Sequence, residues 1–143
     1  MKSVREIAVQ LENKPGTLSA VSDLLGANGI NILALTVCTE GAVGKMHFVA
    51  PEPSKVATIL ETAGYAVSVK EIIAAEAPHH PGGLNAILKP LKRANVNVEY
   101  LYSVIGCQGD RSILLLGVTD LAAAHDALSK DWIHLYGEEL YSF

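Results

Sequence analysis

The strongest constraint on this chain is that it writes one pattern twice. The stretch ENKPGTLSAVSDLLGANGINI runs from Glu12 to Ile32, and HHPGGLNAILKPLKRANVNV runs from His79 to Val98. Shifted by 66 positions, Pro15 to Leu35 lies over Pro81 to Leu101 without a gap. Identities fall at Pro15/Pro81, Gly16/Gly82, Leu18/Leu84, Ala20/Ala86, Leu25/Leu91, Asn31/Asn97 and Leu35/Leu101, seven of 21 positions. Any one residue type supplies only a few per cent of a typical chain, so chance provides roughly one or two matches. The chain is therefore two copies of one small unit. Beyond the next turn the offset becomes 68, pairing Ile59 and Leu60 with Ala127 and Leu128, which makes the second hairpin about two residues longer.

Apolar spacing names the elements within each copy. Ile7, Val9 and Leu11 alternate with polar neighbours, the period of a half-buried strand. From Thr17 the apolar residues Leu18, Val21, Leu24 and Leu25 recur at helical spacing, and Asn28-Gly29 supplies a stop. A strand is expected over Asn31 to Thr39, a turn over Gly41 to Gly44 and a hairpin partner over Met46 to Ala50. Pro51 and Pro53 open a second helix carrying Val56, Ile59, Leu60 and Ala63, with Gly64 at its end, and Tyr65 to Ala77 reads as extended. The second copy then predicts a helix over Gly83 to Ala94, a strand over Asn97 to Ile105 and a turn around Gln108 to Asp110. A strand over Ser112 to Val118, a helix over Asp120 to Lys130 and a strand over Ile133 to Tyr141 follow. Pro90 removes a backbone donor inside its helix and predicts a kink or a loosened centre there.

Two helices crossing one face of a four-stranded antiparallel sheet is the economical packing for this order. The expected class is α+β, two tandem ferredoxin-like βαββαβ repeats over 1–70 and 71–143, meeting near Lys70 to Glu76. The pattern leaves open whether the strand around Glu71 serves the first sheet, the second or both. About 70 residues bury only a thin core, so each half benefits from a partner.

Half of the residues are apolar and 18% are charged, the composition of a packed domain. Net charge is −4, and the 11 lysines and arginines are dispersed apart from Lys92-Arg93, which argues against nucleic acid. No apolar run approaches the roughly 18 residues of a membrane span, and MKSVREIAVQL lacks an apolar signal core, so no membrane is expected and the cytoplasm is the expected location. Two cysteines, Cys38 and Cys107, make no disulfide framework.

The repeated loop has its own chemistry. Pro-Gly before a helix allows close approach of a ligand, and the first helical amides lack carbonyl partners, so together with the helix dipole they favour an anion such as a carboxylate. Asn13 and His79 precede the two Pro-Gly pairs, and Asn31 and Asn97 head the following strands with carboxamides that accept from an ammonium or donate to a carboxylate. That donor and acceptor set suits the zwitterion of an α-amino acid. Pro-Gly is equally ordinary turn chemistry, and Asn before a strand also closes Asx turns.

The stretch ENKPGTLSAVSDLLGANGINILAL resembles the ACT domain, a small regulatory module of amino-acid metabolism, and HHPGGLNAILKPLKRANVNVEYL resembles a diverged second copy. The resemblance covers nearly the whole chain and implies a non-catalytic, stand-alone tandem ACT protein, an allosteric regulator without a cofactor. It further implies an amino acid gripped at ACT–ACT interfaces, a homodimer, and an amino-acid-metabolism enzyme as partner. By position it nominates Asn13, Pro15, Gly16, Thr17, Leu18 and Asn31 as ligand-binding in the first copy. In the second copy it nominates His79, Pro81, Gly82, Gly83, Leu84 and Asn97. Serine-binding members carry a His two places before the loop Asn, where this chain has Leu11 and Ala77, and that implies a less polar ligand.

Three rivals stand beside this. His79-His80 with Asp110, His125 or Asp126 would make a metal or acid–base site, but no HxxxH or CxxC spacing accompanies them, and no metal is expected. Cys38 sits between Leu35, Val37 and Thr39, where a buried inert thiol is the usual case. The same element order builds RNA-binding sheets, yet Tyr100 and Tyr102 have Ala34 and Thr36 as counterparts, so the pair reads as packing or pocket wall. A protein–protein docking and dimerisation module, a regulatory subunit without its own ligand, is the alternative function.

Overall fold

The structure, a computed structural model, describes residues 1–106 and 112–143 in full and the backbone of Arg111. The expected turn at Gln108 to Asp110, with Cys107, lies outside the described residues. The elements are β1 (Val4–Glu12), α1 (Thr17–Ala27), β2 (Ala34–Glu40), β3 (Val43–Val49), α2 (Pro53–Thr62) and β4 (Val67–Pro78). They continue as α3 (Gly83–Arg93), β5 (Val98–Ser103), β6 (Arg111–Val118), α4 (Leu121–Lys130) and β7 (Leu135–Tyr136), closing with a 3₁₀ turn, Glu138–Ser142. The chain forms two compact units, Arg5–Lys70 on one side and Met1–Val4 with Glu71–Phe143 on the other, so the division falls inside β4.

In the Arg5–Lys70 unit β3 pairs antiparallel with both β1 and β2. Ile7, Val9 and Leu11 meet Val21 and Leu25 of α1, Val56 and Leu60 of α2, and Met46 and Phe48 of β3 in one buried core. The other unit pairs β4 with β6 and β7, and β6 with β5, all antiparallel. Its core is the same set moved along the chain: Ile73, Ala75 and Ala77 with Ile87, Leu91, Ala124, Leu128 and Leu116. What the sequence repeats is thus a core, and each fully buried Leu or Phe contributes roughly 1.5–3 kcal/mol. The second core is built of smaller residues, Ala75, Ala77 and Ala124 replacing Val9, Leu11 and Val56.

The helix ends repeat as well. Gly64 donates to Glu61 and Tyr65 to Leu60 at 3.0 and 3.1 Å, and 68 residues later Trp132 donates to Ser129 and Ile133 to Leu128, both at 3.1 Å. These bonds close a left-handed cap, and where Gly64 has φ 93°, Trp132 takes φ 60° with its side chain 93% exposed.

Two expectations are corrected. The strand expected from Ile133 to Tyr141 is only Leu135–Tyr136, because the chain bends at buried Gly137 and the 3₁₀ turn follows. The Tyr136 hydroxyl donates to Glu76 at 2.6 Å and its ring meets Phe143 edge-on, which anchors the turn. The strand placed at Asn31 begins at Ala34. Pro90 lies buried inside α3, which spans Gly83–Arg93. The tyrosines of β5 pack as expected: Tyr100 and Tyr102 stack at 6.4 Å, and the Tyr100 ring fills the space above Gly117 that a Cβ would need.

Candidate functional site

The first copy of the loop leaves β1 at Glu12, where Lys14 donates to the Glu12 carboxylate at 2.8 Å. That hydrogen bond, with the charge attraction behind it, holds the Glu12 carboxyl below its ordinary range and lifts the Lys14 ammonium above its own. Asn13 is tied to the β2–β3 turn, its backbone N–H donating to Ala42 and its carboxamide to Gly41, both at 2.9 Å. Gly16 then takes φ 88° as the helix N-cap and offers no side-chain cap to α1. The loop supplies one acceptor in its place, the Lys14 carbonyl, which takes the Thr17 N–H at 3.4 Å. The Thr17 hydroxyl bridges the loop, within 2.7 Å of the Glu12 carbonyl and 3.0 Å of the Lys14 carbonyl.

Beside this helix start, which no side chain caps, lies an open hollow of about 670 Å³. Its walls include Gln10, Lys14, Gly16, Thr17, Val43 and Tyr65. Of the first-copy candidates, Pro15, Gly16 and Thr17 line it, whereas Asn13, Leu18 and Asn31 do not. Leu18 and Asn31 are both exposed, Asn31 lying in the connection before β2. Leu11, at the place of the serine-type His, is nearly buried and forms part of the floor.

The second copy keeps the backbone and changes the filling. Gly82 caps α3 at φ 86°, again without a side chain, and the Gly83 N–H donates to the His80 carbonyl at 2.9 Å. Gly83, the counterpart of Thr17, is buried, and a Cβ there would run into the Pro78 carbonyl oxygen. Pro78 is the counterpart of Glu12, so the second loop has drawn tight across the space that the Thr17 side chain occupies in the first. His79, Pro81, Gly82 and Leu84 are exposed around it, and Asn97 is exposed while its backbone pairs with Thr119. His80 turns its Nδ1 onto the Pro81 carbonyl at 2.8 Å, and among the described residues no group of three His, Cys, Asp or Glu is placed to hold a metal. Asp110 of that rival lies outside the described residues. Cys38 is exposed, not buried: Leu35 and Val37 pair with the core residues Phe48 and Met46, so Cys38 takes the opposite face of the outermost strand.

Gln10, Val43 and Tyr65 were not among the residues nominated from the sequence. They reach the hollow through strand pairing and the hairpin turn, from positions up to 55 residues apart. Only the polar alternation at Gln10 hinted at its exposed face.

The ACT domain pair model matches residues 2–139, and the chain belongs to this family. A crystal structure of a Bacteroides thetaiotaomicron protein superposes with TM-score 0.91 at 23% identity, covering 99% of this chain and 97% of that one. The ligand-free regulatory subunit of aspartate kinase from Thermus thermophilus gives TM-score 0.66 at 13% identity, covering 92% and 94%. The regulatory subunit of aspartate kinase from Thermus flavus gives 0.62 at 14%, covering 90% and 92%. No curated protein sequence matches the chain. No described helix is long and apolar enough to cross a membrane. Within its family this chain is a tandem pair of ACT modules.

Proposed function

We propose that this chain is a non-catalytic, cytoplasmic regulator that binds a small α-amino acid at the loop joining β1 to α1. The observation that carries the reading is the hollow beside a helix start that no side chain caps. The α-carboxylate faces the opening amides of α1, and the apolar lining residues Leu11 and Ala20 favour an apolar side chain. The regulatory subunits of aspartate kinase among the structural neighbours support a regulatory role and an enzyme of amino-acid metabolism as partner.

A micromolar complex needs about −8.2 kcal/mol. Spread over the roughly nine heavy atoms of leucine, that is about −0.9 each, within the ceiling for very small ligands. Such efficiency requires enclosure, and the hollow is open on one side, so a second module has to close it. A homodimer supplies one. Binding then favours one placement of the modules, and a partner enzyme senses that placement through linkage.

A thermal-shift screen of the twenty amino acids tests the reading. At a hundredfold excess over Kd the stabilisation is about 2.7 kcal/mol. Ala20→Leu, which fills the hollow with a good helix former, should abolish the shift while the protein stays folded. Asn31→Ala weakens binding if that carboxamide belongs to the site, and unchanged affinity removes it. No shift with any amino acid at millimolar concentration would favour the docking-module reading, to which the matched exposed residues Leu18 and Leu84 already lend themselves.

A further inference from the structure

Trp132 stands exposed at the end of α4 on backbone that disfavours every residue with a Cβ. Its counterpart 68 residues earlier is Gly64, which takes the same left-handed region without that penalty. The cap needs only a glycine, so the fold does not account for the indole. Nor does Trp132 stand alone. It lines an open hollow of about 550 Å³ with Met1, Lys2, His125, Ser129 and His134. Met1 is 70% exposed, and among the described residues Trp132 and Met1 are the two most exposed large apolar side chains. The chain carries a net charge of −4, yet the ionisable side chains lining this hollow are Lys2, His125 and His134, and among the described residues no carboxylate lines it. The Lys2 ammonium donates to Glu139 at 2.9 Å and the Lys2 backbone N–H to His125 Nε2 at 3.2 Å, which fixes this segment against α4 and the closing turn.

The repeat shows that this lining is an addition. At the matching positions the first copy has Ala57 for His125, Glu61 for Ser129, Gly64 for Trp132 and Ala66 for His134. One carboxylate and three small residues give way together to a hydroxyl, an indole and two imidazoles. The same helix end forms in the first copy with none of them.

We propose that Trp132 and this hollow form a docking surface for an acidic segment of a partner protein, with the indole as the anchor. A patch lined by basic side chains on an acidic chain complements an anionic partner. The hollow is open, and a small ligand needs most of its surface enclosed, whereas a protein segment is held by a flat patch around one large aromatic side chain. An apolar side chain of the segment covers the indole, and the flanking carboxylates accept from Lys2, Ser129 and His134. This surface shares no residue with the hollow at the β1–α1 loop, so loss of either leaves the other intact.

The test selects binders of the full chain from a displayed library of random peptides and measures the enriched peptides by titration calorimetry. They should carry several Asp or Glu residues around an apolar one. Trp132→Gly, which copies Gly64 and so keeps the cap, should weaken their binding about thirtyfold or more while the protein stays folded. Raising salt from about 0.05 to about 0.5 M should weaken it too, because the attraction is screened. Glu139→Gln, which leaves the Lys2 ammonium to the peptide, should tighten it about two- to fivefold. Peptides that are not acidic, that bind the Trp132→Gly protein equally well, or that respond neither to salt nor to Glu139→Gln would overturn the proposal, as would a selection that enriches nothing.

Discussion

Replacing Gly83 with alanine sets two rules against each other. At a helical position with ordinary backbone angles, Gly→Ala stabilises by about 0.4–1 kcal/mol, because the unfolded chain loses freedom and alanine favours helix. At Gly83 the added methyl meets the Pro78 carbonyl oxygen, and the carbonyl carbon lies 3.0 Å away. That obstacle is backbone, at the end of the β4–β6 ladder where Pro78 faces Arg111, so it cannot swing aside as a side chain would. Either the ladder end opens or the first turn of α3 moves. Overpacking of this kind costs about 1–3 kcal/mol. With about 2–4 °C lost per kcal/mol in a chain near this size, the melting temperature should fall by about 2–12 °C. Gly26→Ala is the matched control, since Gly26 lies in α1 with open space where its Cβ would go, and it should raise stability. Thermal and urea unfolding of both variants give the answer. A stabilised Gly83→Ala protein would refute the view that the second loop is closed by its own backbone.

Two further outcomes follow from the cap and the surface. Trp132→Gly should stabilise the protein by about 1 kcal/mol, because a left-handed non-glycine residue costs roughly 1–2 kcal/mol and the exposed indole forfeits little burial; a drop in the urea midpoint would show instead that the indole packs. Lys2 donating to Glu139 at 2.9 Å, helped by the Gly137 and Glu139 backbone, lowers that carboxyl from 4.5 to about 2. Because the folded value is the lower one, the contribution is present above pH 4.5 and fades as pH falls toward 2. It should amount to less than about 1 kcal/mol at this exposed pair, and the melting-temperature gap between wild type and Glu139→Gln should close across that window.

Apolar spacing carried most of the fold. Val21, Leu25, Val56 and Leu60, repeated as Ile87, Leu91, Ala124 and Leu128, mark the helix faces because packing demands them at those intervals. The ends of elements were less legible. Ile133 to Tyr141 is apolar enough for a strand, but a buried glycine and the tether from Tyr136 to Glu76 bend it, and neither tertiary partner is visible locally. Cys38 was misplaced because alternation assigns a side chain to a face without saying that its strand is outermost. The loop residues Pro15, Gly16 and Thr17 were readable from their repetition, whereas Val43 and Tyr65 reach the hollow only through a turn and a helix end far along the chain. The difference between an open first loop and a closed second one rests on Thr17 against Gly83, a substitution whose meaning depends on where the Pro78 carbonyl points.

The exposed Trp132 has a practical bearing on the bench. It is the chain's single indole, and it already stands in water while the protein is native. Its emission colour will therefore barely shift when the cores melt, so fluorescence offers a reporter of encounters at the tip of α4 and a blind probe of global denaturation, for which circular dichroism is the better signal.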